Sequence, residues 1–217
     1  MFSRTQHVAQ SGYSAGEAPL GQLRTTPALL GEGRGSQLVE FAISLPLLVV
    51  LVVGIFDFGS AFTVKQKLAG IASEAARMGS MQPGNDMSYA GNGGGCGQLI
   101  AVCAVRDVVE QSLTDAKIND CGLASAAPMY TSGLTWTFTA NSNCAGTFTL
   151  TVNRGFTYQT SLSAPFSGGT YTIEATQVTL SYPYKWEFGK VIQLVAPGTT
   201  FAGTSQITSI GTMQNVY

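Results

Sequence analysis

Apolar positions fall into three successive patterns along this chain: first none sustained, then continuous, then periodic. Residues 1 to 35 mix Gly, Ser, Thr, Pro and Gln with scattered charges and hold no apolar repeat, which predicts a disordered leader. From Leu38 to Val64 the chain is almost wholly apolar, with Glu40 near the start, Pro46 inside and Asp57 towards the far end. At about 1.5 Å per residue this run makes a helix of about 40 Å, enough to cross the hydrocarbon core of a bilayer. The uncharged stretch from Phe41 to Phe56 favours a transmembrane helix over a buried helix of a soluble protein.

The apolar repeat then becomes periodic. Val64, Leu68, Ile71, Ala72, Ala75 and Gly79 keep helical spacing, while Lys65, Lys67, Ser73, Glu74 and Arg77 take much of the remainder, so the helix is expected to run on to about Ser80. The small residues Ala69, Ala72, Ala75, Ala76 and Gly79 would admit a second helix at close range, or let the helix pack on its own domain. A second helix is expected over about Leu99 to Asp115, with Leu99, Val102, Val105, Val109 and Leu113 on one face.

Beyond it the period falls to two. In LTWTFTA, Leu134, Trp136, Phe138 and Ala140 oppose three threonines, and in TFTLTV, Phe148, Leu150 and Val152 oppose three more. These predict neighbouring antiparallel strands, with a turn at Asn153 to Gly155 leading into a third strand near Phe156 to Leu162. In TYTIEATQVTLSYPY the apolar parity changes from Tyr171, Ile173 and Ala175 to Val178, Leu180 and Tyr182, so a β-bulge is expected between Ala175 and Gln177. Phe188, Ile192 and Val195 suggest a short helix or membrane-proximal loop over Trp186 to Val195, and SQITSIGTMQ a final strand. The expected fold is α+β: a long N-terminal transmembrane helix continuing into a domain in which a second helix packs on an antiparallel sheet. Its divisions are a leader over 1–35, a transmembrane helix over 36–64 and a folded domain over 65–217.

Composition narrows the function. Lys and Arg number 11 against 12 Asp and Glu, with no basic run, so nucleic acid is not an expected partner. Cys96, Cys103, Cys121 and Cys144 all follow the apolar run, which places the domain in an oxidising compartment. They contain no C-x-x-C pair, and the only histidine is His7, so disulfides are expected rather than a metal site. Four cysteines allow three pairings, and proximity in sequence favours Cys96 with Cys103 and Cys121 with Cys144.

GNGGGCGQ, from Gly91 to Gln98, lacks the G-K-[ST] ending of a phosphate loop and reads as a stapled loop. Asp107, Glu110 and Asp115 fall on the polar face of a helix, and Glu174 and Asp120 are isolated acids. No catalytic residue, cofactor site or metal site is therefore expected. The aromatic residues Trp136, Tyr158, Tyr171, Tyr182 and Trp186 could present contacts to a surface ligand, but mostly occupy apolar parities and are expected in the core.

A carboxylate at the threshold of an apolar run costs free energy unless something uses it. The residues GSQLVEFAISLPLL and, further on, GIFDFG resemble the TadE-like family of pseudopilins, membrane-anchored components of the tight-adherence (Flp-type) pilus system. The resemblance spans about residues 33–80 and is carried by Gly35, Glu40, Phe41, Pro46, Gly54 and Asp57-Phe58-Gly59.

It implies cleavage between Gly35 and Ser36 by a membrane prepilin peptidase, with Glu40 and Phe41 completing the recognition site. It also implies other pilins, pseudopilins and inner-membrane pilus assembly proteins as partners, beside the bilayer. The freed ammonium of Ser36 would then lie about 6 Å from Glu40 along a helix, near enough to be neutralised by it or by a neighbour's.

Asp57 would pair within the membrane, reach the outer interface, or meet Lys65 in the headgroup region. Arg24 and Arg34 precede the helix against Lys65, Lys67 and Arg77 after it, so the positive-inside rule does not favour the leader as cytoplasmic. The cysteines and the processing motif place the leader inside and the domain outside. The alternative is a secreted or anchored surface-binding module, its apolar run a signal peptide cut after Gly59-Ser60-Ala61.

Overall fold

The computed structural model describes residues 32–84, 95–161, 169–187, 189, 198 and 203–216, with side chains from residue 35 onward. The expected leader lies outside the described residues up to 31, as does most of the expected element over Trp186 to Val195. The chain divides into two units, Met1–Ala42 and Ile43–Tyr217.

Helix α1 runs from Glu32 to Met81, so it starts before Ser36 rather than after the expected leader. Its described side chains in the first unit, from Gly35 to Ala42, are all exposed. Pro46 lies inside it, and the missing N–H removes the bond that the Ala42 carbonyl would otherwise accept. Leu47, Leu51, Ile55 and Phe58 are likewise exposed, and none of the helix's most apolar window is buried in the protein. Among the described residues, this one helix is long and apolar enough to cross a membrane.

From Ala61 onward the same helix becomes part of a core. Leu68, Ile71, Ala72, Ala75, Ala76 and Gly79 are buried against the protein's own domain, while Ala69 stays exposed. Helix α2 (Ile100–Asp115) buries Val102, Val105, Val109 and Leu113 beside it. Gly79 is the crossing point: a Cβ there would stand 3.0 Å from Val105 Cγ2 and 2.9 Å from Thr176 Cγ2. A 3-10 turn at Leu123–Ser125 leads into the sheet.

Five antiparallel strands follow in sequential order: β1 (Met129–Ser132), β2 (Thr135–Ala140), β3 (Phe148–Ser161), β4 (Thr170–Lys185) and β5 (Thr204–Gln214). Both helices cover one face. Trp136 opposes Val152, Phe138 opposes Leu150 and Leu150 opposes Leu180, giving a contiguous apolar layer beneath α1 and α2. The layout is the α+β one expected. Each of these large side chains contributes about 1.5–3 kcal/mol on burial.

Three details correct the reading of the sheet. Strand β1 was not anticipated. Asn153 to Gly155 is not a turn, because β3 passes through it unbroken, so the expected third strand is the far half of β3. The bulge also lies on β3: Asn153 faces Gln177 and Phe156 faces Ala175, three steps against two. Strand β4 pairs with β5 without a shift from Ala175 to Lys185. The parity change along β4 therefore marks apolar residues moving to the other face of the sheet.

The bulge brings Arg154 inward, where it is 1% exposed. Its Nη2 donates to the Gln82 carbonyl at 2.9 Å and its Nη1 to the Pro83 carbonyl at 3.2 Å, just past the end of α1. Buried guanidinium groups persist where such carbonyls replace water. Asn215 completes the junction, donating to the Arg154 carbonyl at 3.3 Å and accepting from Thr176 Oγ1 at 2.7 Å. The disulfides join Cys96 to Cys103 and Cys121 to Cys144, the pairs nearest in sequence. The first ties the described end of the glycine-rich segment to α2.

Candidate functional site

The residues singled out along the membrane helix fall into two groups. Gly35, Ser36, Glu40 and Phe41 stand exposed near the start of α1. Ser36 and Glu40 are one helical turn apart on the same side. A Cβ on Gly35 would meet nothing within 4 Å, so no packing within the described protein demands glycine there. The Gly35–Ser36 bond lies in the first turns of the helix, whose leading N–H groups lack intrahelical partners and which unwinds most readily.

The second group is built differently, for here the helix meets the sheet. Asp57 is 7% exposed, and its Oδ1 accepts a hydrogen bond from the Tyr184 hydroxyl at 3.0 Å. The same hydroxyl lies 3.4 Å from the Asp57 carbonyl oxygen. Burial, followed by the hydrogen bond and charge of Asp57, pushes the Tyr184 hydroxyl up to about 12.

Phe58 packs against Trp186 with ring centroids 5.2 Å apart, and Tyr184 meets the same indole edge-on at 5.0 Å. The indole Nε1 donates to Ser205 Oγ at 2.7 Å, which fixes the ring across the base of β4 and β5. Phe58, Phe62, Lys65 and Trp186 line an open crevice of about 520 Å³ beside this contact. A Cβ on Gly59 would meet nothing within 4 Å, while Ala61 is buried.

Asp57-Phe58 is thus a docking point between the end of the apolar helix and the folded domain. Its partners Tyr184 and Trp186 could not be assigned from sequence. They follow the alternation of β4, but nothing in a linear pattern joins them to residues more than a hundred positions earlier. Arg154 was hidden for a similar reason, since a polar triplet ending in glycine is a turn signal as well as a bulge signal.

The N-terminal segment bears out the resemblance read from its motif: the family model described as TadE-like protein matches residues 35–77. That interval begins at Gly35, includes Glu40 and Asp57, and ends within the buried half of α1. No curated protein and no solved structure matches this chain.

Proposed function

We propose that this chain is a membrane-anchored pseudopilin or minor pilin that acts in assembly of a tight-adherence (Flp-type) pilus. The observation that carries the reading is the coincidence of the TadE-like match over 35–77 with one helix whose first part is apolar and exposed and whose second part is domain core. Such a helix joins a bilayer to a folded head. In this reading the protein works by packing and surface contact, without catalysis. Its partners are a prepilin peptidase, other pilins and pseudopilins, and inner-membrane assembly proteins.

The peptidase cuts between Gly35 and Ser36, leaving Glu40 as the acid that neutralises the new terminus. The leader faces the cytoplasm and the α+β domain the other side, where both disulfides are stable. The collar of Tyr184, Trp186 and Phe58 sits at the outer interface, where amphipathic rings are favoured. The packing at Asp57 and Ala61 weighs against a signal peptide cut after Ala61, because that cut would sever the helix in the middle of its docking contact.

The test is the N-terminus and intact mass of protein recovered from membranes with its native secretion machinery present. A start at Ser36, abolished by Gly35→Leu and weakened by Glu40→Gln, is the expected result. An intact Met1 or a start at Phe62 contradicts the processing step.

A further inference from the structure

The sheet face turned away from the helices has a composition that the anchoring role does not use. Cross-strand partners share a face, so the registers define it: Thr137 lies beside Thr151, Thr151 beside Thr179, and Asn153 beside Gln177. Along β2 to β5 this face carries no charged side chain except Lys185 at one end. Solvent-facing sheet surfaces ordinarily carry Lys and Glu for solubility. Here hydroxyls and amides replace them, and they hold one another in place. Thr137 Oγ1 lies 3.1 Å from Thr131 Oγ1 and 3.5 Å from Thr151 Oγ1, and Gln177 Nε2 donates to Thr212 Oγ1 at 3.4 Å.

The bulge at Asn153–Phe156 adds aromatic rings to this same face. It turns Phe156 and Tyr158 outward, opposite Ala175 and Ile173, and Tyr171 follows beside Thr160. Tyr158 is 38% exposed and Tyr171 48%, against the expectation that both belong to the core. The result is a pair of exposed phenol rings at one end of an uncharged lattice of hydrogen-bonding groups. Its rows stand about 4.8 Å apart across strands and about 6.8 Å apart along them.

Each alternative ligand class lacks what it needs here. A nucleic acid or other polyanion requires several cations, and the face supplies only Lys185 at one end. A bilayer requires broad apolar area in place of rows of threonine. A second copy stacked face to face would bury the hydroxyl and amide rows with apolar area only at Phe156, Ile173 and Ile210 between them, at a desolvation cost. An uncharged polymer with many hydroxyls and apolar C–H faces meets every requirement: rings to stack upon, fixed donors and acceptors, and no charge to neutralise.

We propose that this face binds a neutral polysaccharide, with Tyr158 and Tyr171 stacking on sugar rings and the threonine and amide rows of β2 to β4 bonding sugar hydroxyls. The site does not depend on the pilus reading, since processing and glycan binding use opposite ends of the sequence.

The experiment is binding of the full chain, in detergent micelles, to dextran, laminarin, mannan and chitin oligosaccharides, with heparin and alginate as anionic comparators. Retention by at least one neutral polymer is expected, insensitive to salt and stronger than retention by either anionic one. Tyr158→Ala and Tyr171→Ala should each weaken it on the order of tenfold and the double variant abolish it. Tyr158→Phe, which keeps the ring and its pairing with Ile173, should bind within a factor of about three of the parent, and this variant separates a binding defect from a folding one. The proposal is overturned if no neutral polymer is retained, if the anionic polymers bind as well, or if a correctly folded double variant binds like the parent.

Discussion

Tyr184→Phe removes a single oxygen from the junction of helix and sheet, and its effect can be worked out from the contact itself. The lost bond joins the Tyr184 hydroxyl to Asp57 Oδ1 at 3.0 Å, with Asp57 7% exposed. A hydrogen bond to a charged group contributes about 1.5–3 kcal/mol. The phenylalanine ring keeps its edge-on contact with Trp186, so packing is largely preserved. The expected loss is therefore about 2 kcal/mol, which lowers the melting temperature of a domain this size by about 6 °C.

The assay is thermal unfolding in micelles at neutral pH, followed by near-ultraviolet circular dichroism. Asp57→Asn should cost less, because an amide oxygen still accepts. The double variant should show a coupling of about 1 kcal/mol or more between the two sites. Above neutrality the sign is fixed by the hydroxyl's raised pKa. Tyr184 titrates higher in the fold than its ordinary value of 10.0, so its contribution is complete below pH 10 and is lost as pH rises towards about 12. Tyr182, raised by burial and by the charge of Asp120, acts in the same direction. Tyr184→Phe should flatten this alkaline loss. A variant within about 0.5 kcal/mol of the parent, or strict additivity with Asp57→Asn, would refute the docking argument.

Three further outcomes are expected. Arg154→Met leaves the carbonyls of Gln82 and Pro83 without their donor and should destabilise the domain by about 3 kcal/mol in urea titration, and Arg154→Lys should not restore it, having no fork to reach both. Gly211→Ala drives a Cβ into the Ala72 carbonyl, a clash with backbone that should prevent α1 from seating and be read as lost protease resistance, whereas Gly59→Ala, open within 4 Å, should fold normally. Reduction of both disulfides should lower stability by about 3–5 kcal/mol, measured as the midpoint shift with and without reductant, with Cys121–Cys144 contributing more because it closes 23 residues rather than 7.

Much of the architecture is legible in the linear pattern because it arises from periodicity. The apolar run and the stripe from Leu68 to Gly79 predict α1 to within a residue or so at its C-terminal end, Leu99 to Leu113 predict α2, and alternation predicts β2, the first half of β3 and β5. Periodicity fails where two structures share one local signal. Asn153-Arg154-Gly155 reads as a turn because its polar residues interrupt the alternation, yet the pairing of β3 with β4 carries the chain straight through. The parity change on β4 reads as a bulge for the same reason. In the fold it reflects the end of α1 near Thr176, past which Glu174, Thr172 and Thr170 are exposed on the helix side and the apolar residues turn to the other face.

Read alone, the residues specify one membrane-length helix with a TadE-like threshold, followed by an α+β domain with four cysteines. Those features depend on composition, spacing and motif, which the chain holds locally. The packed fold is needed to see that Asp57 meets Tyr184, that Arg154 clamps the end of α1, and that Tyr158 and Tyr171 face solvent beside rows of threonine. Each of these is a contact or an exposure set by strands far apart in sequence. Strand register and helix position determine such neighbours, and no local pattern encodes them.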